Sequence, residues 1–241
     1  MIDWQALALA CRRANAAYVE NDADSKAAFE ALGDVWIGQF QDSSRQATLS
    51  VDPSGATWLS ISGTRASQGA LGDVLRDLQL KPVTIKGGTV TLGVQDGMDH
   101  VFDWALSTAP TGTVLNLTGH SLGSCRVQIA PAYVPANQIG AMYGFAAPKF
   151  ISKEFFAAHA AVFQRLVPVV DASDGWASWP WFDPRWQCRA PVQTAWLKDA
   201  PGAFQLLADG NQWKGGWVFA DHDIDRYQAR IQAIAGSGVP A

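Results

Sequence analysis

Val114-Leu-Asn-Leu-Thr118-Gly-His-Ser121-Leu-Gly123 is the stretch on which the fold turns. Its first half is a short apolar run suited to a buried strand, and its second half is a G-x-S-x-G pentapeptide. Residues 122–129 behind it suit a helix. The pentapeptide alone is common by chance; the strand before it and the helix after it give it meaning. Together they predict a nucleophile elbow, a turn so sharp that glycines must flank the serine. The helix that follows directs its N-terminus at Ser121, where developing negative charge is stabilised.

Outward from this turn, strand-like runs occupy residues 35–41, 47–51, 57–62, 139–145 and 163–170. The turn Asp52-Pro-Ser-Gly55 makes a hairpin of the second and third. Helical spacing predicts helices over 3–20, 24–31, 71–78, 93–106, 152–160 and 224–234. Alternating strands and helices imply an α/β fold, a mostly parallel central sheet with helices on both faces. With no linker or repeat, residues 1–241 are expected to form a single domain.

A serine nucleophile needs a base, and the base needs an orienting carboxylate. On an α/β-hydrolase sheet the chain order is serine, carboxylate, histidine. Of the four histidines only His159 and His222 follow Ser121. His159 lies in an expected helix, whereas His222 sits in a loop before the last helix and is the favoured base. The carboxylate belongs just past the 163–170 strand, where Asp171 and Asp174 compete, with Asp183 a third choice. The oxyanion hole needs two amides. Leu122 supplies one, and the loop Ile61-Ser-Gly63-Thr64 supplies the other from Thr64, whose hydroxyl is expected to accept a bond that locks the loop.

Composition excludes several classes. Of 241 residues, 48% are hydrophobic and 17% charged, the reverse of the balance that disorder requires. Net charge is −4 and no basic block occurs, so no nucleic-acid partner is expected. Cys11, Cys125 and Cys188 are far apart, with no CxxC or Cys/His cluster; they are expected as buried free thiols, and no metal site is expected. No 18-residue apolar run occurs, so no transmembrane segment is expected. Asp3 and Gln5 interrupt the N-terminus and Arg12 and Arg13 follow its apolar stretch, so a Sec signal peptide is not expected and the chain reads as cytoplasmic or exported by another route. Seven of the 11 tryptophans fall between Trp176 and Trp217. Trp176, Trp179, Trp181 and Trp186 either line an acyl or alcohol pocket or pack a loop-rich cap. Asn116-Leu-Thr118 matches a glycosylation signal but falls on a strand expected to be buried.

From residue 35 to 235 the chain resembles the class 3 (fungal-type) lipase family of α/β-hydrolases. Ser62-Gly63-Thr64, then Leu71-Gly-Asp-Val-Leu-Arg-Asp77-Leu and Pro82-Val83, resemble that family's oxyanion strand, lid and Asp-Leu…Pro-Val stretch. Leu92-Gly93-Val94 resembles its Gly-Phe segment before the elbow, and Gly119-His-Ser-Leu-Gly123 its nucleophile motif. Tyr143-Gly-Phe-Ala-Ala147-Pro148 resembles its Tyr-Thr-Phe-Gly-Ala-Pro strand. Asp174-Gly-Trp-Ala-Ser-Trp-Pro180 resembles its Asp-x-Val-Pro-x-Leu-Pro segment, and His222-Asp-Ile-Asp-Arg-Tyr227 its catalytic histidine and terminal helix. Ile61-Ser62 stands where the family has an aromatic-Arg pair, Gly175 replaces a bulky apolar residue, and the Trp-rich sequence past Pro180 has no counterpart.

The resemblance implies catalytic Ser121, Asp174 and His222, an oxyanion hole at Thr64 and Leu122, and no cofactor. It implies a serine carboxylester hydrolase of lipase or esterase type acting on a hydrophobic ester or lipid, with transient contact to a lipid surface. Trp176 and Trp179 are the candidate substrate-binding residues. It also implies a lid over residues 65–77, with Leu71, Val74, Leu75 and Leu78 as its apolar face and Gly69 and Gly72 as hinges. The same triad would serve thioesters, polyesters, cell-envelope esters or acyl transfer. A binding module on an inactive scaffold is the remaining alternative.

Overall fold

A computed structural model describes residues 2–64 and 80–237. The expected lid, residues 65–77, and Leu78 lie outside the described residues. The strands are β1 (Val35–Gln41), β2 (Gln46–Val51), β3 (Thr57–Ile61), β4 (Pro82–Ile85), β5 (Gly88–Thr91), β6 (Leu115–His120), β7 (Ile139–Phe145), β8 (Leu166–Asp171), β9 (Thr194–Leu197) and β10 (Phe204–Leu207). The helices are α1 (Trp4–Ala16), α2 (Asp22–Glu30), α3 (Leu92–Gln95), α4 (Met98–Thr108), α5 (Leu122–Gln128), α6 (Lys153–Ala158), α7 (Ala160–Phe163) and α8 (Ile224–Gly236).

Eight strands form one sheet in the order β1-β2-β3-β6-β7-β8-β9-β10. The run from β3 to β9 is parallel, with antiparallel β1 and β2 at one edge and β10 at the other. The pleat divides the core in two. On β3, Trp58 faces the layer of α1 and α8, while Leu59 and Ile61 face the layer of α4 and α5. The first layer packs Leu7, Cys11 and Ala14 of α1 against Tyr227, Ile231 and Ile234 of α8. The second packs Val101, Phe102 and Ala105 of α4 with Leu122 and Cys125 of α5. Helix spacing follows the sequence, and Asp3 caps α1 by accepting the Gln5 and Ala6 amides.

Several expectations need correction. The helix expected over 93–106 is two, α3 and α4, because Gly97 turns left-handed (φ 60) and the Arg45 guanidinium fills the space beside it. Helix 152–160 likewise breaks at His159. The strand expected from 163 begins at Leu166, since Phe163 ends α7. The β4–β5 hairpin, β9 and β10 are four-residue strands with too little alternation to read in advance. All three cysteines are free; Cys11 and Cys125 are buried, but Cys188 is only half-buried. Asn116 spends its side-chain oxygen on the Ala141 amide, and Thr118 is buried with its hydroxyl on the Ala10 carbonyl.

The ion pair between Arg13 and Asp34 lies wholly inside. Arg13 of α1 donates through Nε to Asp34 at 2.7 Å and through Nη2 at 2.5 Å, and Ser50 of β2 donates to the same carboxylate at 2.9 Å. The guanidinium also lies 4.5 Å from the Trp58 ring centre. This fastens α1 to the antiparallel edge of the sheet. Asp34→Ala strands a buried cation, so we expect a loss of about 3–5 kcal/mol in chemical denaturation. The surface pair made by Asp183 and Arg185 predicts a far smaller loss for Arg185→Ala.

Candidate active site

The chain leaves β6 at His120 and enters α5 at Leu122, so Ser121 occupies the whole turn. Its backbone sits at φ 57 and ψ −127, a positive-φ conformation that residues other than glycine rarely adopt. Close packing enforces this. A β-carbon on Gly123 would overlap the Ile61 carbonyl oxygen, and one on Gly63 would lie 3.0 Å from Ser121 Cβ. The end of β3, the loop after it and the elbow are therefore in direct contact.

Two loops at the C-terminal end of the sheet bring the other groups to Ser121. Ser121 Oγ donates to His222 Nε2 at 2.8 Å. His222 Nδ1 donates to both oxygens of Asp174, each at 3.0 Å. All three side chains are buried. Asp174 also accepts the Ala177 amide at 2.9 Å and the Tyr227 hydroxyl at 2.8 Å. Burial by itself raises the Asp174 pKa, but the His222 charge and these hydrogen bonds outweigh it and hold the carboxyl below its ordinary range. An ionised Asp174 fixes His222 with its proton on Nδ1, leaving Nε2 to receive one from Ser121.

The two loops are also tied to each other. Val218 donates to the Ser173 carbonyl at 2.9 Å, Gly175 to the Val218 carbonyl at 3.2 Å, and Asp221 accepts the Ser173 amide at 3.0 Å. Arg226 of α8 reaches Asp171 at 3.0 Å and Asp221 at 2.9 Å, bridging both. Asp171 is thus spoken for by Arg226 and Arg230 and does not contact His222; burial pushes its carboxyl up to about 6 against those two arginines. Asp183 caps a short 3-10 turn and pairs with Arg185.

Sequence reasoning missed Tyr227, Tyr18, Arg226 and Asp221. Tyr227 accepts the Asp171 amide at 2.8 Å and donates to Asp174, so it spaces the loop as well as bonding the carboxylate. Its position one turn into the last helix was the only hint. Tyr18 had none. It donates to His120 Nδ1 at 2.9 Å, and His120 Nε2 donates to the His222 carbonyl at 2.9 Å. The Gly63 amide in turn hydrogen-bonds the Tyr18 oxygen. His120 thus points away from Ser121, as expected, and links the oxyanion loop to the His222 loop from behind. His100 is exposed, and His159 donates to the Lys86 carbonyl, remote from the serine.

Leu122 is the first residue of α5, so its amide has no intrahelical acceptor. Thr64 follows Gly63 beside the elbow. Its hydroxyl does not lock the loop by a hydrogen bond; Oγ1 is buried and has no partner among the described residues. Trp179 is enclosed in the core by Trp176, Trp181 and Phe182, whereas Trp176 is half-buried against Phe219. Among the described residues no group of three His, Cys, Asp or Glu side chains is disposed to hold a metal ion, and no helix is long and apolar enough to cross a membrane.

No protein-family profile matches the chain, and no curated protein matches it in sequence. Solved structures do match. Lipase II from Rhizopus niveus superposes with a TM-score of 0.70 at 14% identity, over 91% of this chain and 92% of that one. A triacylglycerol lipase described as having a serine protease triad as its catalytic centre gives 0.70 at 15% identity, over 90% and 92%. A triacylglycerol lipase from Penicillium expansum gives 0.65 at 14% identity, over 98% and 99%. The chain therefore has the α/β-hydrolase fold, in the form shared by fungal triacylglycerol lipases.

His120 gives this site a pH signature. Burial first, and the neighbouring His222 charge second, lower its pKa from 6.5 to about 3. The unfolded chain binds a proton there below pH 6.5 while the folded chain does not, so stability falls on acidification between about 6.5 and 3. The contribution is about 1.4 kcal/mol per pH unit in that window. His120→Asn should flatten the slope of unfolding free energy against pH between about 6 and 4, measured by denaturant titration.

Proposed function

We propose that the chain is a serine carboxylester hydrolase, of lipase or esterase type, that cleaves hydrophobic esters through an acyl-enzyme on Ser121. The observation that carries this reading is the buried chain of hydrogen bonds from Ser121 to His222 to Asp174, at 2.8 and 3.0 Å. The likeness in fold to triacylglycerol lipases supports the substrate class.

In this mechanism His222 Nε2 takes the Ser121 proton as Oγ attacks the ester carbonyl carbon. The oxygen of the tetrahedral intermediate becomes negative and is bound by the Leu122 and Thr64 amides. Asp174 stabilises the imidazolium that forms. When the intermediate collapses, His222 returns the proton to the departing alcohol, leaving the acyl group on Ser121. A water, deprotonated by His222, attacks the acyl carbonyl, and the second collapse releases the acid and restores Ser121. Each step uses groups the chain supplies itself.

Charge placement agrees with this division of labour. Asp174 is held ionised by its three donors, and Tyr227 is kept protonated because burial and the Asp174 charge push its pKa upward. Tyr227 therefore donates to Asp174 throughout the cycle.

Ser121→Ala and His222→Ala should each lower kcat for a short p-nitrophenyl ester by about four to six orders of magnitude, and the double variant little further, because the groups act as a unit. A fluorophosphonate probe should label the wild type at Ser121 and leave Ser121→Ala unlabelled. Full turnover in Ser121→Ala would refute the mechanism.

Asp174→Asn should lower kcat by about 10⁴-fold, since an amide oxygen and nitrogen in place of the carboxylate favour the wrong tautomer of His222. Asp171→Asn should reduce kcat far less and lower thermal stability instead, because Asp171 holds Arg226 and Arg230. Steady-state kinetics of the two variants beside thermal melts distinguish them.

A further inference from the structure

Arg189 lies past Pro180, in the Trp-rich stretch that has no counterpart in the lipase pattern. Its backbone is clasped by Asn211, which accepts the Arg189 amide at 2.8 Å and donates to the Arg189 carbonyl at 3.2 Å. Its guanidinium lies 4.5 Å from the ring centre of the buried Trp213. Held in this way, the planar fork presents its two terminal nitrogens to two different loops. Nη1 donates to the Ala147 carbonyl at 3.0 Å, and Nη2 donates to the Ala177 carbonyl.

Each of these carbonyls belongs to a loop that serves the candidate active site. Ala147 follows β7, two residues after Phe145, whose carbonyl receives the Ser121 amide at 2.9 Å. Ala177 donates its own amide to Asp174 at 2.9 Å. One side chain thereby spans the support of the nucleophile and the support of the acid.

The charge of Arg189 matters as well as its fork. Both acceptors are neutral carbonyls, so neither bond cancels the cation. Burial lowers the Arg189 pKa to about 10, and the Asp174 charge is the foremost group opposing that shift. Arg189 is therefore charged at neutral pH, and its field favours the ionised form of Asp174. Asp174 itself faces His222 and Tyr227, and its charge also reaches His120, which burial keeps neutral. On its other side Arg189 faces the thiols of Cys125 and Cys188, whose pKa values burial raises, and Lys149, whose pKa burial lowers to about 8. Arg226 and Arg230 of α8 are committed to Asp171.

We propose that Arg189 is a positioning residue of the triad, holding the Asp174 loop at a fixed distance from the elbow and supporting the Asp174 carboxylate with its charge. The proposal rests on the ester-hydrolase reading. It gives the Trp-rich stretch a part in catalysis through Asp174, without contact to substrate.

The test is the pH dependence of kcat/KM on a water-soluble p-nitrophenyl ester, with active sites counted by fluorophosphonate labelling. Arg189→Met removes the charge and both hydrogen bonds. It should lower kcat about tenfold with KM unchanged. It should also move the acid limb, which reports the Asp174–His222 pair as a unit, upward by about half a pH unit. Arg189→Lys keeps the charge but cannot bridge both carbonyls, so the limb should stay in place while kcat recovers only in part. Where Arg189→Met does not fold, Arg189→Gln replaces it with the same expected shift. An acid limb that stays in place in the uncharged variant overturns the proposal, as does an equal shift in Arg189→Lys. Lower thermal stability with kcat and the limb unchanged overturns it too, leaving Arg189 a purely structural residue. A wild type that neither cleaves ester nor takes the probe refutes the hydrolase reading instead. The low-field Nδ1 proton of His222, titrated by NMR, then reads the same shift without turnover, and its absence in Arg189→Met overturns the positioning role.

Discussion

The backbone of Ser121 is the constraint on which the rest depends. A residue with a β-carbon held at φ 57 and ψ −127 is strained by itself and persists only because its surroundings over-determine it. Here the Ser121 amide donates to the Phe145 carbonyl at 2.9 Å, while its carbonyl accepts the Ser124 amide at 3.0 Å as α5 begins. Gly123 presses on the end of β3. Strand β7 on one side, β3 on the other and the helix ahead leave the serine one position, at the C-terminal edge of the parallel run. Active groups of open α/β sheets gather at that edge, because crossover connections deliver successive loops to the same end.

The second requirement is that two loops far apart in sequence hold a fixed spacing. The Asp174–His222 contact spans 48 residues, including the whole Trp-rich segment and both β9 and β10. Three devices maintain it. Backbone hydrogen bonds pair 173–175 with 218; Asp221 reaches back to the Ser173 amide; and Arg226 bridges Asp171 and Asp221 from the last helix. Behind them, Tyr18, His120 and the His222 carbonyl form a relay that depends on a neutral His120. The N-terminal helix α1, which delivers the chain to Tyr18, is itself fastened through Arg13 and Asp34.

The tryptophans separate into two populations. Trp186 and Trp213 are interior, and Trp179 forms the floor under an exposed layer made by Trp181 and Trp217. Composition reveals the enrichment but not this division, because an indole reads the same whether it faces inward or outward. Gly175 illustrates the point. A β-carbon there would meet the Phe219 ring at 2.7 Å, so the residue that departs from the lipase pattern is the one that lets the aromatic segment lie against the Asp174 loop.

What the sequence determined by itself were the features carried by local rules. Strand β6, the elbow and α5 announce themselves through a run of apolar residues, paired glycines and helix-compatible spacing within about 15 positions. Chain order restricted the base to His159 or His222, the expected helix around His159 favoured His222, and family resemblance decided for Asp174 over its rival Asp171. Only the tertiary structure decided matters that depend on approach between distant segments. Asp171 and Asp174 are both aspartates just past one strand, and arginines on α8, more than 50 residues onward, commit the first to an ion-pair network and leave the second to His222. The break of the helix at Gly97 follows from Arg45 arriving from another strand connection, and the role of Tyr18 from α1 crossing behind the elbow. Local pattern records which conformations a segment can adopt; which polar group meets which is set by packing across the sheet, where each buried donor and charge must find its partner.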